Sequence, residues 1–284
     1  MFFIIGMVVV IGSVISGYVL HHGDLRVLNQ PTEFLIIGGA AIGSFIISNP
    51  SNVMKRVTSN LGLIMKSGAA VSKQQYMDLL LFMYSFFKFM QQKGMLQAEG
   101  HIEEPHNSDI FTKFPSVLQN HHATDFICDY IRLITMGVED HYKLEDMMDL
   151  EMESHHHEME EASLAVVTLG DAFPALGIVA AVLGVIVTMG SITEPPEILG
   201  RLIGGALVGT FLGVLLSYGI VGPIGLYLGK YFNQQHKYIE CIKIGLISHV
   251  QGNAPTISVE FARKVIPSDV MPSFAEVEQA MGNL

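Results

Sequence analysis

The sequence predicts an all-α polytopic membrane protein with four transmembrane helices and a helical cytoplasmic domain. Half of its 284 residues are hydrophobic, and its mean hydropathy is +0.41. Only 15% of the residues are charged, whereas a typical soluble domain has roughly 25%. No run of alternating polar and apolar residues predicts a β-strand.

Four apolar segments are long enough, or nearly so, to cross about 30 Å of hydrocarbon. They are residues 2–20, 34–47, 163–192 and 199–228. The first lacks the basic start and cleavage site of a secretory signal, so we interpret it as a retained anchor. The predicted domains are residues 1–48 with helices 1 and 2, 49–162 as a cytoplasmic helical loop domain, 163–229 with helices 3 and 4, and 230–284 as a cytoplasmic tail that packs with the loop domain.

The positions of the sixteen lysines and arginines predict the orientation. Nine lie between residues 48 and 162 and five lie from Lys230 onward, whereas the turns 20–33 and 193–200 contain only Arg26. By the positive-inside rule the loop, the tail and both termini are cytoplasmic, so we expect a multi-pass membrane protein. Because the net charge is −11 and the sequence has no basic cluster, we do not expect the chain to bind nucleic acid.

The loop domain is expected to be helical. An apolar run at 76–90 is too short to span and predicts a buried or surface helix; a polar loop at 99–115 and an amphipathic helix at 117–136 follow. Residues 138–161 then contain ten acids and one lysine, and no helix breaker separates them from the third apolar segment. We predict one long helix there, with most of its acids on a solvated face.

Histidine and cysteine do not predict a metal centre. The three histidines at 155–157 are consecutive, so they point around a helix instead of converging as metal ligands at i and i+4 do. Cys128 and Cys241 are isolated and expected to be free thiols. We find no nucleophile motif, phosphate loop or paired carboxylates, so an enzyme is not expected, and no cofactor is expected either.

Asp171 is the most informative residue, because it lies in the third apolar segment three residues before Pro174. A charge in a membrane helix is costly and indicates function. The proline removes a helical hydrogen bond and favours a kink. Apart from Asp171 the four predicted segments contain no Asp, Glu, His or Cys. The pattern predicts a helix that handles charge and bends.

Glycines recur every four residues in two of the segments. Gly39 and Gly43 lie in the second, and Gly205, Gly209 and Gly213 lie in the fourth. Such spacing lets membrane helices approach closely, since their association depends on packing. The contact is either within one chain or with another chain. A homo-oligomer is therefore one expectation.

Four ordered sequence blocks carry a family resemblance: QPTEFLIIGGAAIGSFI, GDAFPALGIVAAVLGVI, LVGTFLGVLLSYGIVGP and GNAPTISVEFARKVIPS. Over essentially its whole length the chain resembles MotA, the A subunit of the flagellar motor stator, of the MotA/TolQ/ExbB proton channel family. The resemblance implies five A subunits around two single-span B subunits (MotB), whose membrane aspartate carries the ion. Ion flow would rotate the A ring and generate torque on the rotor protein FliG.

The resemblance also implies roles for individual residues. Asp171 would lie near the inner end of the ion pathway without being the carrier. Pro174 and Pro223 would couple ion movement to conformational change, and Thr210 would line the path. Ala181 stands where sodium-driven relatives carry a threonine. Because Na⁺ needs several oxygen ligands, the alanine favours H⁺ as the permeating ion.

On the cytoplasmic side, the resemblance implies rotor contacts. Glu99 matches the rotor-facing glutamate, and Glu151 matches an acidic position at the base of the long helix. Gln91 occupies the position of the family's arginine. Lys93 is two residues away and could supply a charge, although lysine cannot reproduce a bidentate arginine contact. The alternative for both acids is solvated surface charge.

Two other classes of membrane protein remain as alternatives. An energising subunit of the ExbB or TolQ kind shares the ion-driven logic but typically has three spans, and the first two segments and the tail block argue against it. A polytopic metal transporter with a His-rich sensor would require metal ligands within the membrane, and Asp171 alone does not provide them.

Overall fold

The computed structural model describes residues 2–67, 71–138 and 140–284, and every regular element in these ranges is a helix. The all-α prediction is therefore confirmed. The described residues fall into two units. Those of Met1–Ala69 and Glu158–Tyr231 form the first, which we call the apolar unit, and those of Ala70–His157 and Phe232–Leu284 form the second, which we call the core unit.

In chain order, the α-helices of the described ranges are α1 (Phe2–Leu20), α2 (Leu25–Leu28), α3 (Pro31–Ser48), α4 (Ser51–Ser67), α5 (Lys73–Lys93), α6 (Met95–Glu103), α7 (Pro115–Leu118), α8 (His121–Thr135), α9 (His141–Met189), α10 (Pro196–Val214), α11 (Gly222–Val250), α12 (Pro255–Lys264) and α13 (Phe274–Gly282). A π-helical segment, Leu215–Val221, joins α10 to α11. Two short 3₁₀ turns, Pro105–Asn107 and Phe111–Lys113, lie between α6 and α7.

Three helical stretches of the described residues are long and apolar enough to cross a membrane: Leu25–Ser48, His141–Met189 and Pro196–Val250. Ile4–Leu20 is a shorter apolar helix. The second predicted segment starts too late, because α3 begins with Pro31, whose fixed φ suits the first helical position. The expectation that Asp171 is the only acid in the segments is therefore wrong, since Glu33 lies in the first turn of α3.

The apolar unit has a small interior and a hydrophobic exterior. Its core lies between α3, α9 and α10 and includes Ile37, Ala180 and Val208. By contrast, Ile47 and Val187 are among many large aliphatic side chains that remain exposed in the single chain. A surface of this kind requires lipid or protein neighbours.

The core unit buries a conventional hydrophobic core rich in aromatic side chains. The predicted helix at 76–90 is confirmed as part of α5, which begins at Lys73 because Ser72 and Gln75 form a capping box. The long acidic helix is also confirmed: α9 continues without interruption from His141 to Met189. In its first part Leu144 and Met148 are buried in the core. From the C-terminal residues, α12 and α13 pack against α5.

Two helix predictions in the loop need correction. Residues 117–136 form two helices instead of one, because Asn120 caps α8 by accepting a hydrogen bond from the Ala123 N–H at 3.3 Å. The predicted polar loop at 99–115 is helical over its first residues, which belong to α6. Ala98 and Ile102 are buried there one helical turn apart, so tertiary packing outweighs the polar composition.

Candidate functional site

A row of glycines seven residues apart lets α9 pack closely on the helices that follow it. The row consists of Gly170, Gly177 and Gly184. A methyl group added at Gly177 would lie 2.6 Å from the carbonyl oxygen of Gly209, and one added at Gly184 would lie 2.7 Å from the Cβ of Ala206. The helices approach this closely because glycine has no side chain at these positions. We call this contact the glycine seam.

Asp171 and Pro223 flank one end of the glycine seam. A methyl group added at Gly170 would lie 3.0 Å from the backbone nitrogen of Gly222, so α9 and α11 cross here. Asp171 directly follows Gly170, and Pro223 directly follows Gly222. Pro174 lies one turn further along α9 and has no N–H to donate to the Gly170 carbonyl. The crossing therefore combines an acid, two prolines and weakened backbone hydrogen bonding.

The π-helical segment ends at the same crossing. The Gly222 N–H donates to the carbonyl oxygen of Ser217, five residues earlier, and Pro223 follows with no N–H of its own. The Ser217 side chain is buried. π-Helical turns inside longer helices are rare and occur frequently at functional sites, because the wider turn displaces backbone groups from the regular ladder.

Asp171 points away from the interior of the apolar unit. Its side chain is exposed in the single chain, as are those of Ile178 and Val182 at helical spacing on α9. A carboxylate facing lipid would be costly. This face of α9 therefore requires a second protein chain or a water-lined path beside it.

Thr210 and Ala181 lie on either side of the same helix contact. The Cα of Thr210 would be 3.3 Å from a methyl group added at Gly177, and the side chain of Thr210 is half-buried. Ala181 is buried, and its backbone nitrogen would be 3.1 Å from a methyl group added at Gly209. The seam therefore brings both sequence-predicted positions to the α9–α10 contact.

The predicted packing glycines divide into two groups. Those of α10 face other parts of the chain: Gly205, Gly209 and Gly213. A methyl group added at Gly213 would lie 2.5 Å from the carbonyl oxygen of Phe173, and one added at Gly205 would lie 2.9 Å from the Nε2 of Gln30. At Gly39 or Gly43 it would meet no atom of the described residues within 4 Å. The α3 glycines therefore present an open surface of the single chain.

Sequence reasoning missed Glu33, which lies beside the seam. Its side chain is only 5% exposed, and a methyl group added at Gly209 would lie 2.5 Å from Glu33 Oε2. The available signal was Pro31, a typical first helical residue, followed two positions later by an acid. Pro31 and Glu33 both precede Phe34, the first residue of the predicted second segment.

Three of the four predicted rotor residues share one corner of the core unit. Gln91 and Lys93 end α5, Glu99 lies in α6, and all three side chains are exposed. Gly94 makes the turn between the helices with a φ of 87°, a conformation that L side chains rarely adopt. This corner presents a mixed polar and charged surface.

Glu151 occupies a different place in the core unit. It lies on α9 and accepts a hydrogen bond of 2.8 Å from the hydroxyl of Tyr130 on α8. Tyr130 is buried, and burial together with this hydrogen bond raises its pKa. The carboxylate of Glu151 therefore ties α8 to α9, a different pair of helices from the α5–α6 corner.

The histidines of α9 pair with rings on other helices. His155 stacks on His122 with ring centroids 3.9 Å apart, and the centroids of His156 and His236 are 4.7 Å apart. No group of three or more potential ligands in the described ranges is arranged to hold a metal ion. Cys128 and Cys241 are free and buried, as expected.

Comparisons with known proteins agree along the whole chain. The family model for the N-terminal part of motility protein A matches residues 4–94, and that of the MotA/TolQ/ExbB proton channel family matches residues 119–240. Motility protein A of Escherichia coli (strain K12) is 41% identical over 279 residues, which cover 98% of this chain and 94% of that protein.

Two solved structures have the same fold. A C. jejuni MotAB structure covers 96% of this chain and 98% of its own, with a TM-score of 0.79 and 19% identity. The flagellar MotAB stator complex of Bacillus subtilis covers 94% and 96%, with a TM-score of 0.76 and 22% identity. With the full-length sequence identity, these findings establish that the chain belongs to the motility protein A family, within the MotA/TolQ/ExbB proton channel family.

Proposed function

We propose that this chain is the A subunit of a proton-driven flagellar stator, which together with a single-span B subunit converts ion flow into torque on the rotor protein FliG. The observation that carries the proposal is the glycine-seam crossing. There an exposed membrane carboxylate, Asp171, lies beside Pro174, Pro223 and a π-helical segment. The family membership and the shared fold of the two MotAB structures support it.

In this proposal the chain crosses the inner membrane four times with both termini in the cytoplasm. The fourth span is α1, whose 19 residues extend about 28 Å at 1.5 Å per residue, close to the thickness of the hydrocarbon core. The proposed domains are 1–48 and 163–229 in the membrane, and 49–162 and 230–284 in the cytoplasm. The distribution of lysine and arginine supports this orientation.

The exposed surfaces of the apolar unit support an oligomer. Gly39 and Gly43 leave room on α3 for the close approach of another helix. Asp171 lies on an exposed face of α9 that needs a partner. We propose that five copies of this chain surround two B subunits, with Asp171 near the inner end of the pathway that they enclose.

Ala181 supports protons as the permeating ion. The residue is buried at the α9–α10 contact and contributes a methyl group, which cannot coordinate a cation. Sodium prefers several oxygen ligands, whereas a proton needs only one acceptor at a time. Thr210 alone would supply one hydroxyl oxygen near this contact.

The energy of ion flow suits a change in helix packing at the seam. One charge moving through 100 mV releases about 2.3 kcal/mol, roughly four times RT. This is enough to bias a step between two packing arrangements but too little to disrupt a core. We propose that Pro174 and Pro223 permit that step, because each interrupts the hydrogen bonding of its helix at the crossing.

The α5–α6 corner is the proposed rotor-facing surface. Gln91, Lys93 and Glu99 are exposed there, so Glu99 provides the charge and Lys93 compensates in part for the missing arginine. Glu151 contributes to rotor contact in this proposal, and its hydrogen bond to Tyr130 fixes the carboxylate.

The alternative functions have less support. An ExbB- or TolQ-like energising subunit is not favoured, since the N-terminal motility protein A model matches residues 4–94. A metal transporter would use Asp171 and Glu33 as intramembrane ligands. These residues lie near opposite ends of the glycine seam, so they do not form one coordination site.

Deleting the gene and scoring flagellar filaments and cell rotation separately tests the proposal. We expect filaments to assemble but remain motionless, and rotation to return with the wild-type gene and not with Asp171→Asn or Pro174→Leu. Normal rotation in the deletion strain, with no second stator present, would contradict the proposed function and direct attention to envelope transport.

A further inference from the structure

The carboxyl group of Glu33 is buried without a hydrogen-bond partner for one of its oxygens. The side chain is 5% exposed, and Oε2 accepts no hydrogen bond from the described residues. Buried polar atoms nearly always have partners, and a buried unpaired charge is far more costly than a buried neutral group. A role in packing alone therefore does not account for an acid at this position.

Helix capping does not account for this acid either. Glu33 is the third residue of α3, where a glutamate commonly accepts the backbone N–H of the capping residue. Here the N–H of the capping residue Gln30 donates instead to the Leu28 carbonyl at 3.1 Å. No described residue forms an ion pair with Glu33. Its carboxylate is directed away from its own helix end.

The carboxyl group points into the notch formed by the small residues of α9 and α10. A methyl group added at Gly209 would lie 2.5 Å from Oε2, and one added at Gly184 would lie 3.5 Å from Oε1. Ala180 and Ala181 complete the wall, because their atoms would lie 3.1 Å from the same Gly209 methyl. Larger side chains would occupy the space that the carboxyl group fills.

Among the side chains that the structure describes, none that is charged closes this notch. The elements packed around it carry Arg26 on α2, Glu197 and Arg201 on α10, and Asp171 in the spanning part of α9, and all four side chains are exposed in the single chain. Asp171 precedes Gly184 by 13 residues, about 20 Å along a helix. The two acids therefore lie near opposite ends of the glycine seam.

We propose that Glu33 is a second protonatable site of the ion pathway, located at the end of the seam opposite Asp171, where it binds permeating protons and releases them inward. Oε2 accepts a proton to form an O–H bond, and the same bond breaks when the proton moves to the next acceptor, which restores the carboxylate. The proposal rests on the stator function above. It differs from that function in assigning proton binding to this chain and not to its partner alone.

The test uses stator-deleted cells that express the full chain with its B subunit. Rotation speed of tethered cells is measured over a range of external pH for wild type, Glu33→Gln and Glu33→Asp, and fluorescent labelling counts the stators docked at each motor. Glutamine preserves shape and polarity but cannot bind a proton. Glu197→Gln is the matched control, since Glu197 is an exposed acid in the first turn of α10.

We expect Glu33→Gln to dock normally, to rotate severalfold more slowly and to lose the dependence on external pH that wild type, Glu33→Asp and Glu197→Gln retain. Equal speeds for Glu33→Gln and wild type at every pH would overturn the inference. If Glu33→Gln fails to dock, the Glu33→Asp variant provides the test. Rotation of Glu33→Asp motors with retained pH dependence supports proton binding by residue 33. Failure of both variants to dock indicates a packing role for Glu33 and overturns the inference. Failure of wild type to restore rotation would contradict the stator function itself.

Discussion

Individual atoms determine how closely α9 approaches α10. Along the glycine seam, backbone atoms occupy the positions that side chains would otherwise fill. The seam is therefore sensitive to the addition of one methyl group, whereas the open glycines of α3 are not. This contrast allows the effect of packing within the chain to be separated from that of assembly between chains.

We predict that Gly177→Ala destabilises the protein by about 1–3 kcal/mol, a typical cost of overpacking. The added methyl would lie 2.6 Å from the Gly209 carbonyl oxygen, which is backbone and cannot move aside easily. Thermal unfolding of the purified chain in detergent measures the effect. Gly39→Ala is the control and should leave the stability of the single chain unchanged. Equal midpoints for Gly177→Ala and wild type would contradict the described contact.

The Tyr130–Glu151 hydrogen bond predicts a coupling between two residues. Tyr130→Phe and Glu151→Ala should each destabilise the core unit by roughly 1 kcal/mol, and the double variant should lose little more than either single one. A double-mutant cycle measured by denaturant unfolding provides the coupling free energy. Strictly additive losses would show that Glu151 acts independently of Tyr130.

At the scale of elements, the two prolines act on helices that cross at one point. Each proline lacks an N–H, and their helices meet where Gly170 lies against Gly222. A change in the packing of one helix therefore changes the space available to the other. The packing of the two helices at this crossing can therefore rearrange without breaking a regular series of backbone hydrogen bonds, because the prolines already interrupt it.

We predict that Pro174→Ala and Pro223→Ala each slow rotation severalfold while expression and docking at the motor stay normal. Alanine restores the missing N–H and stiffens the helix. Tethered-cell rotation together with stator counting measures the effect. Pro196→Ala is the matched control, because Pro196 begins α10, where its N–H would have no helical partner. Full torque at normal ion flux in the Pro174 variant would refute the coupling role.

Several elements could be predicted from the sequence because local pattern and tertiary structure agree there. The acidic helix continuous with the third apolar segment is one example, since no glycine or proline interrupts it before Gly170. The start of α3 and the break at Asn120 were missed, although Pro31 and Asn120 are ordinary signals for helix starts. The π-helical segment had no such signal, because its residues also suit an α-helix.

The candidate site was only partly predictable for a related reason. Asp171, Pro174 and Pro223 stand out by residue type within apolar segments. Their meeting at one crossing depends on the seven-residue glycine spacing, whose partner residues on the next helix are set by tertiary packing. Glu33 lies outside the predicted second segment because that segment begins with the apolar run at Phe34, whereas the helix begins at Pro31.

For the molecule as a whole, half-buried histidines predict acid sensitivity of the core unit. Burial lowers the pKa of His122, His236 and His249, and nearby His156 lowers that of His236 further. The ring of His249 stacks on Phe87 with centroids 4.5 Å apart. A lowered pKa in the folded state means that the folded protein binds fewer protons than the unfolded chain. The stabilising effect is therefore complete above about pH 6.5 and is lost as pH falls through the folded-state values.

We predict that the free energy of unfolding of the core unit decreases between pH 7 and pH 5, and that His249→Gln makes this decrease shallower. Unfolding followed by circular dichroism at each pH measures the slope. His106→Gln is the control, because His106 is exposed. An unchanged slope in the His249 variant would contradict the assignment of acid sensitivity to that residue.

Conversion of proton flow into rotation by this chain can be tested directly. The most direct measurement follows the rotation speed of stator-deleted cells that carry the chain with its B subunit, while external sodium is removed and then a protonophore is added. We expect an unchanged speed without sodium and a rapid stop with the protonophore, since Ala181 offers no oxygen ligand for Na⁺ at the α9–α10 contact. Rotation that depends on sodium, or that persists after the proton gradient has collapsed, would contradict it.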